Sequence, residues 1–450
     1  MGFSLGGLML TILASWAQIR KPDFIIILFV LSALFGASAA ITLHFLGGRP
    51  IQPVTFMLPF ILLYTMRMPR AIDQIKQALI HDNAVTALVA FTIIAITVSI
   101  FSPVFLSGEI LVYNVEKGKF ILKALEFSSS HIAQIIYLLG SVTCFIVVVG
   151  LSRTETGIDG FSKALILLTV LNALFGVIDL VTFYLGYSEA LMFLKNAGYA
   201  MVDQNMHGVR RISGAFPETS AFSRFSVSLL AFNLALFLRG YYRRYTGPLS
   251  LITASLLIIT TSSSAYLGLI GVAIMVLWIE KERLTKGLIS KSLFWVGFIA
   301  CVFSALLFII FNEEVISIFN SAVVEKMDSE SGIERMSWNK QAWNNFVDSG
   351  FWGVGLGGNR ASSLIMVVLS NVGIIGLGSY LLFLAFALKG RSVSLSPEKN
   401  VVAAAAKSAA LVTLLPAMAT ATSFFSGMLF YILLGLGSST VGLRALSSRE

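Results

Sequence analysis

The sequence predicts an all-α polytopic membrane protein of about 12–13 transmembrane helices, and three observations carry that prediction. Hydrophobic residues fill 56% of the 450 positions and charged residues only 12%, where soluble proteins carry about 25% charge. The mean hydropathy is +0.85. The apolar runs are continuous and about 20 residues long, enough for a helix to cross a bilayer, and lack the alternating polarity of a membrane β-barrel strand.

In chain order, spans are expected at about 2–18, 24–43, 52–66, 84–106, 131–150, 163–186, 220–238, 248–262, 264–279, 293–311, 362–388, 403–421 and 424–443. The intervening charges fit this division. Basic residues gather in alternate connections, as in Arg20-Lys21, Arg67/Arg70/Lys76, Arg239/Arg243/Arg244, Lys281/Arg283/Lys286 and Lys389/Arg391, which places those connections in the cytoplasm and the N-terminus outside. The formal charge of +9 is therefore that of a positive-inside membrane protein, and a nucleic-acid partner is not expected. Arg20-Lys21, an apolar stretch and Ala37-Ser38-Ala39 imitate a cleavable signal. Because another apolar segment precedes them, they are read as an uncleaved anchor. Cys144 and Cys301 each sit inside an apolar run, so neither a disulfide nor a metal framework is expected. No internal repeat is seen, and residues 1–450 read as a single integral membrane domain.

Three external stretches exceed a turn, at about 107–130, 187–219 and 312–361. Ala342, Trp343, Phe346 and Val347 recur at helical spacing, so these stretches are expected to be ordered caps containing short amphipathic helices. The external face holds an excess of arginine, at Arg210, Arg211, Arg335 and Arg360 and at Arg224 one turn into the span that follows. A guanidinium is permanently charged and binds phosphate through two parallel hydrogen bonds, so converging arginines suit a lipid-linked diphosphate; single arginines also anchor lipid headgroups. Glu218 precedes a span, where it either supports the helix end or, beside Arg210 and Arg211, orients them or accepts a proton. Ser220 is expected to cap that span. Trp338, Trp343 and Trp352 offer faces for sugars or for the membrane interface. The run Gly353 to Gly358 can bring backbone N–H groups to a phosphate. Asn172, Asp179 and Lys407 lie inside spans, which requires a bundle interior or cavity, and His207 is a candidate base. No spacing of His, Cys, Asp or Glu suggests a metal site, and no cofactor is expected.

Arg211-Ile212-Ser213-Gly214-Ala215-Phe216-Pro217-Glu218-Thr219-Ser220 resembles the Arg-x-Ser-Gly-x-Phe-x-Glu-Pro-Ser pattern of the bacterial O-antigen polymerase and O-antigen ligase superfamily, with Thr219 in place of the proline. Thr260 to Gly268 is similar to that superfamily's Thr/Ser-rich break between helices. Arg335, Trp338, Ala342, Gly353-Val354-Gly355-Leu356-Gly357 and Asn371-Val372-Gly373 resemble its large periplasmic loop and the helix after it. The resemblance covers about 210–380 and implies a GT-C-like membrane glycosyltransferase of the bacterial inner membrane, with its active site facing the periplasm. It implies metal-independent transfer between undecaprenyl-diphosphate-linked glycan donor and acceptor, with Arg211, Glu218 and Arg335 catalytic. Arg210, Arg224, Arg360 and Trp338 then bind substrate, and membrane lipids and a chain-length regulator are the further partners. The ligase branch commonly carries a histidine late in the large loop. None follows His207 here, so polymerase is favoured over transfer to lipid A-core. A lipid-linked oligosaccharide transporter or flippase and a non-catalytic assembly scaffold remain the other readings.

Overall fold

The structure, a computed structural model, describes residues 2–43, 48–116, 119–187, 189–197, 205–206, 209–285, 330–389, 397–422, 424 and 427–438. The expected span at 293–311, the start of the third external stretch at 312–329, His207 and the side chain of Arg210 lie outside the described residues.

The first part of the chain comprises α1 (Leu5–Arg20), α2 (Phe24–Ser32), α3 (Pro53–Phe56), α4 (Leu58–Met66), α5 (Pro69–His81) and α6 (Asn83–Phe105). Then come α7 (Ser129–Ser152), α8 (Glu155–Tyr184), α9 (Thr219–Leu238), α10 (Arg243–Ile259) and α11 (Ser263–Leu284). The last part holds α12 (Glu330–Asp348), α13 (Leu364–Lys389), α14 (Pro397–Thr420) and α15 (Met428–Ser438). Among the described residues, seven helices are long and apolar enough to cross a membrane, α6 to α9, α11, α13 and α14, and two shorter apolar pieces span Pro53–Met66 and Met428–Ser438. This is the expected all-α polytopic architecture.

Helix α9 is its axis. The apolar window of α9 is 78% buried, against 44% for α6, α8 and α11, because α8, α10, α11 and α14 all pack around it. Polar side chains fix its register. Asn233 donates to Thr169 Oγ1 at 2.7 Å and Asn172 to Ser226 Oγ at 2.8 Å, each pairing buried amides and hydroxyls that water cannot reach. Asn172 therefore joins α8 to α9. Along the other side α6 packs on α13 and α7 on α15.

The long apolar helices alternate in direction and define two ends, since the end of α8 meets the segment before α9 through Asp179 and Ser213 and the end of α14 meets the start of α9 through Thr420 and Arg224. At one end, Arg153 Nη2 meets Asp82 Oδ2 at 2.7 Å with both side chains nearly buried, while Asp82 Oδ1 caps α6 by accepting from Ala84 N at 3.0 Å. Arg239 and Arg243 lie at that end too. The opposite end carries the starts of α9, α11, α13 and α15 and the ends of α10 and α14.

Several expected elements are corrected. The apolar segment 24–43 is not one span: α2 stops at Ser32, and Ile41–Leu43 becomes the middle strand of a small sheet with Gly2–Phe3 and Arg49–Ile51. Tertiary contacts override its helical composition, since Ala37 N donates to Ala215 O at 3.0 Å and Ala39 N to Asn196 Oδ1 at 2.7 Å. Stretch 107–130 forms an antiparallel hairpin, Leu111–Glu116 with Lys119–Ala124, instead of a helix. Its β-branched and aromatic residues favour the pleated form, and Val112 packs with Ile110, Leu125 and Val354. Among its described residues, stretch 187–219 holds a 3-10 turn, Met192–Leu194, and a two-residue pairing of Asn205–Met206 with Val209–Arg210. Among the described residues of the three stretches, the amphipathic helix is α12, in the third. In the basic segment 67–82, read from sequence as a connection, lies the amphipathic helix α5, with Ala71 and Ala78 fully buried.

The alternation makes a direct prediction when joined to the positive-inside rule. In a chain with both native cysteines replaced, an impermeant maleimide applied to spheroplasts should label Glu189→Cys and spare Tyr245→Cys. The reverse pattern would invert the orientation, and labelling of both would break the alternation of the helices between them.

Candidate active site

The segment before α9 is shaped by one buried carboxylate. Asp179, on α8, accepts through Oδ2 from Ser213 N at 2.7 Å, Gly214 N at 2.9 Å and Ser213 Oγ at 3.2 Å. Three donors on one oxygen fold the chain into a tight turn, and Gly214 supplies the left-handed residue that the turn requires, at φ +53°. Lys195 Nζ donates to Ser213 Oγ at 2.8 Å. Phe216 then packs on Phe225, their centroids 4.7 Å apart, and against Gly36, where a Cβ would lie 2.5 Å from its ring. Asp179 thus serves the geometry of residues 211–218.

Glu218 takes the N-cap position of α9 with extended backbone, φ −148° and ψ 158°, yet its side chain makes no capping hydrogen bond. Ser220, expected as the cap, lies inside the first turn and donates to Glu218 Oε1 instead. The carboxylate is thus held by a side chain of the first turn, while the backbone carbonyl of Glu218 accepts from Ala221 N at 3.1 Å and Phe222 N at 3.2 Å.

Arginines from four parts of the chain share an electrostatic neighbourhood here. Glu218 acts electrostatically on Arg211, Arg224 and Arg360, and so does Arg335. Arg211 lies in the turn and Arg224 one turn into α9. Arg335 is on α12, and Arg360 is in the segment between α12 and α13. Burial lowers the Arg211 pKa below its ordinary value; Glu218 and Tyr266 oppose the shift and Arg335 adds to it. Burial lowers that of Arg360 in the same way, opposed by Glu218 and Glu334 and reinforced by Arg335. The guanidinium groups stay charged, because their ordinary pKa lies far above neutrality. The Nε of Arg211 is buried without a hydrogen-bond partner.

Arg224 and Arg360 have identified supports. Arg224 Nη1 donates to Thr420 O at 2.9 Å and to Thr420 Oγ1 at 3.2 Å, and Ser264 Oγ donates to the same hydroxyl at 3.2 Å. Arg360 lies over Trp338, 4.5 Å from the ring centroid, a cation–π arrangement that fixes the guanidinium plane. Trp338 itself is only 5% exposed, so its ring contacts Arg360 and the protein interior. Trp343 and Trp352, 50% and 59% exposed, are the open aromatic faces of this end. Thr261, in the α10–α11 break, has φ +47°, strained for a β-branched residue.

The glycine run has a different task from phosphate binding. Val354 N donates to Ser370 O at 2.9 Å, Gly355 N to Asn371 O at 2.9 Å, Leu356 N to Ser99 Oγ at 2.8 Å and Gly353 N to Ser349 Oγ at 2.9 Å. Those N–H groups are consumed by docking the run onto α13 and α6. The closeness explains the glycines: a Cβ on Gly353 would sit 2.7 Å from the Asn371 carbonyl carbon, and one on Gly373, where α13 kinks, 2.4 Å from Phe351 O. Asn371 closes the arrangement by donating to Asn359 O at 3.2 Å and accepting from Asn359 N at 3.3 Å. Arg360 follows immediately and is delivered to the cluster by this scaffold.

A cavity of about 210 Å³ adjoins the cluster, lined by Arg224, Pro217, Phe225, Gln52, Thr413 and Met428 among others. Of the proposed site residues, the structure therefore brings together Arg211, Glu218, Arg224, Arg335 and Arg360, with Trp338 beneath Arg360. Tyr266 and Thr420 join them and were not singled out from sequence; Tyr266 lies in the Thr/Ser-rich break, which was the available signal.

The support from Asp179 is testable. Asp179→Ala leaves the Ser213 and Gly214 N–H groups buried without that acceptor, which costs about 1–3 kcal/mol for each, so the thermal unfolding midpoint in detergent should fall clearly. Asp179→Asn keeps an acceptor oxygen and should recover much of it. An unchanged midpoint for Asp179→Ala would show that the turn does not depend on this residue.

Residues 248–364 match the family model described as O-antigen ligase, roughly a quarter of the chain. The match takes in α10, the Thr/Ser-rich break, Tyr266, Arg335, Trp338 and Arg360, while Arg211, Glu218 and Arg224 lie outside it. No curated protein matches the chain. The chain is thus a polytopic membrane protein in which residues 248–364 are similar to the family described as O-antigen ligase, in agreement with the O-antigen ligase and polymerase superfamily that its motifs resemble.

Proposed function

We propose that this protein polymerises lipid-linked oligosaccharide repeat units at the extracytoplasmic face of a bacterial inner membrane. The growing glycan is transferred from undecaprenyl diphosphate to a sugar hydroxyl of another lipid-linked unit. The observation that supports this most is that Glu218 and Arg335 both lie within electrostatic reach of Arg211, Arg224 and Arg360. Glycan-transferring membrane enzymes of the matched family provide the class of reaction.

In that reaction the bond between the anomeric carbon and the diphosphate oxygen breaks, and a bond from the acceptor hydroxyl oxygen to the same carbon forms. The electron pair of the broken bond leaves with the diphosphate, and the hydroxyl proton passes to a base. The main demand is charge developing on the leaving diphosphate. Fixed arginines in poorly hydrated surroundings meet it by preorganised electrostatics, which need no reorganisation when the bond breaks. Arg211 and Arg335 take that role, Arg224 and Arg360 assist, and Trp338 holds the Arg360 plane. Glu218, whose side chain caps no backbone N–H of its helix, orients Arg211 or receives the acceptor proton.

The name of the matched family favours a second reading, ligation of finished polymer onto lipid A-core. A deletion strain separates the two. Single capped repeat units would support the polymerase, whereas unattached long chains would replace it with the ligase.

Arg335→Lys keeps the charge and loses the bidentate geometry. It should lower polymer formation by about 10²-fold, the scale for removing one transition-state donor, with folded yield unchanged. Glu218→Gln should reduce polymer similarly while leaving α9 intact, since the side chain makes no cap. Near-normal polymer ladders from both variants would overturn the site assignment, and losses that track folded yield would make the residues structural. Because cations of the protein supply the charge, turnover with purified lipid-linked substrate should persist in excess chelator; loss restored by magnesium or manganese would contradict the proposal.

A further inference from the structure

At the end of the bundle opposite the arginine cluster, a cavity of about 540 Å³ lies between α9, α11, α13 and α14, lined by Arg239, Lys407, Trp278 and an apolar wall that includes Ile274, Leu411 and Leu415. Arg239 follows the last turn of α9, where its Nη1 donates to Ala235 O at 3.3 Å. Lys407 is on α14, about 15 Å along the helix from Pro397 at 1.5 Å per residue. A third cation stands at the rim: Lys281 Nζ lies 5.3 Å from the centroid of the Trp278 ring. None of these groups serves the site described above.

The lining is ordered along the membrane normal. Arg239, Trp278, Leu388 and Ala404 lie near the basic end, whereas Gly271, Val412 and Leu415 lie deeper. From Ala404 to Leu415 the α14 wall runs about 16 Å. Ile274, Trp278 and Leu411 are 57%, 62% and 58% exposed, so the cavity opens sideways, toward the position of lipid. Glu280 sits about 180° around α11 from Gly271 by helical spacing, on the flank away from the lining positions.

A soluble anion would be held by the cations and leave the deep apolar part unfilled. A zwitterionic lipid would bring a cation of its own beside Arg239 and Lys407. An amphiphile with a negative headgroup at the shallow level and a hydrocarbon tail below it matches both parts. Basic pockets between helices on the cytoplasmic side suit such headgroups, and Arg239 and Lys407 both line this one. We propose that this cavity binds an anionic glycerophospholipid of the cytoplasmic leaflet, its phosphate between Arg239 and Lys407 and one acyl chain along α14 toward Leu415.

The full-length protein in nanodiscs tests this through Trp278. Phosphatidylglycerol and phosphatidylcholine with doxyl-labelled acyl chains are compared at equal mole fraction, and Trp278→Phe isolates the signal of that ring from the other tryptophans. Labelled phosphatidylglycerol should quench Trp278 at an apparent affinity at least about fivefold tighter than phosphatidylcholine, the scale of one cation near an anionic headgroup. Arg239→Gln should abolish most of that preference. Equal quenching by the two lipids would mean only annular contact and overturn the proposal. So would a preference that survives intact in Trp278→Phe, or in folded Arg239→Gln protein.

Discussion

Guanidinium groups that are brought within electrostatic reach of one another and partly stripped of water repel, and this repulsion is the constraint around which one end of the molecule is organised. Among the described residues, the carboxylates acting on Arg211, Arg224 and Arg360 are Glu218 and, for Arg360, Glu334. Four guanidinium groups share these carboxylates, and mutual repulsion in surroundings poor in water costs stability. A dianionic or more highly charged ligand removes the cost, which gives the arrangement its chemical direction.

Holding such a cluster requires a rigid frame, and the polar groups around it build that frame. Asp179 gathers three donors to fix the turn that carries Arg211, Thr420 fastens Arg224, and Trp338 lies flat beneath Arg360. The glycine run spends its N–H groups on Ser370, Asn371 and Ser99, so the segment leading to Arg360 is tied to α13 and α6. Each device uses buried hydrogen bonds or ring contact, the interactions that gain most where water is excluded. The opposite end is secured more simply, by the buried Asp82–Arg153 pair.

Much of this was legible in the sequence where physics acts locally. Spans 84–106, 131–150, 220–238 and 362–388 lie within a few residues of α6, α7, α9 and α13, because long apolar runs leave a chain in a bilayer few alternatives. Residues 33–40 were misread because their helical composition is overridden by bonds to Ala215 and Asn196, more than 150 residues away in sequence. Glu218 and the arginines could be picked out from motif and sidedness. Whether Glu218 caps, whether Trp338 faces a sugar or a guanidinium, and whether glycine N–H groups are free were not legible, since each depends on a partner from a distant segment. The same holds for Asp179, whose polar character was visible but whose partners, 34 and 35 residues onward, were not.

The central claim is that the clustered arginines recognise the diphosphate of a lipid carrier, and binding to the purified protein in nanodiscs measures this most directly. Undecaprenyl diphosphate, undecaprenyl monophosphate and undecaprenol share one hydrocarbon tail and differ only in the charge presented to the cluster. The account predicts that the diphosphate binds at least about tenfold tighter than the monophosphate, as bidentate guanidinium contacts require, that the alcohol binds weakest, and that Arg211→Gln with Arg335→Gln erases the order. Equal affinities for the three lipids would contradict it.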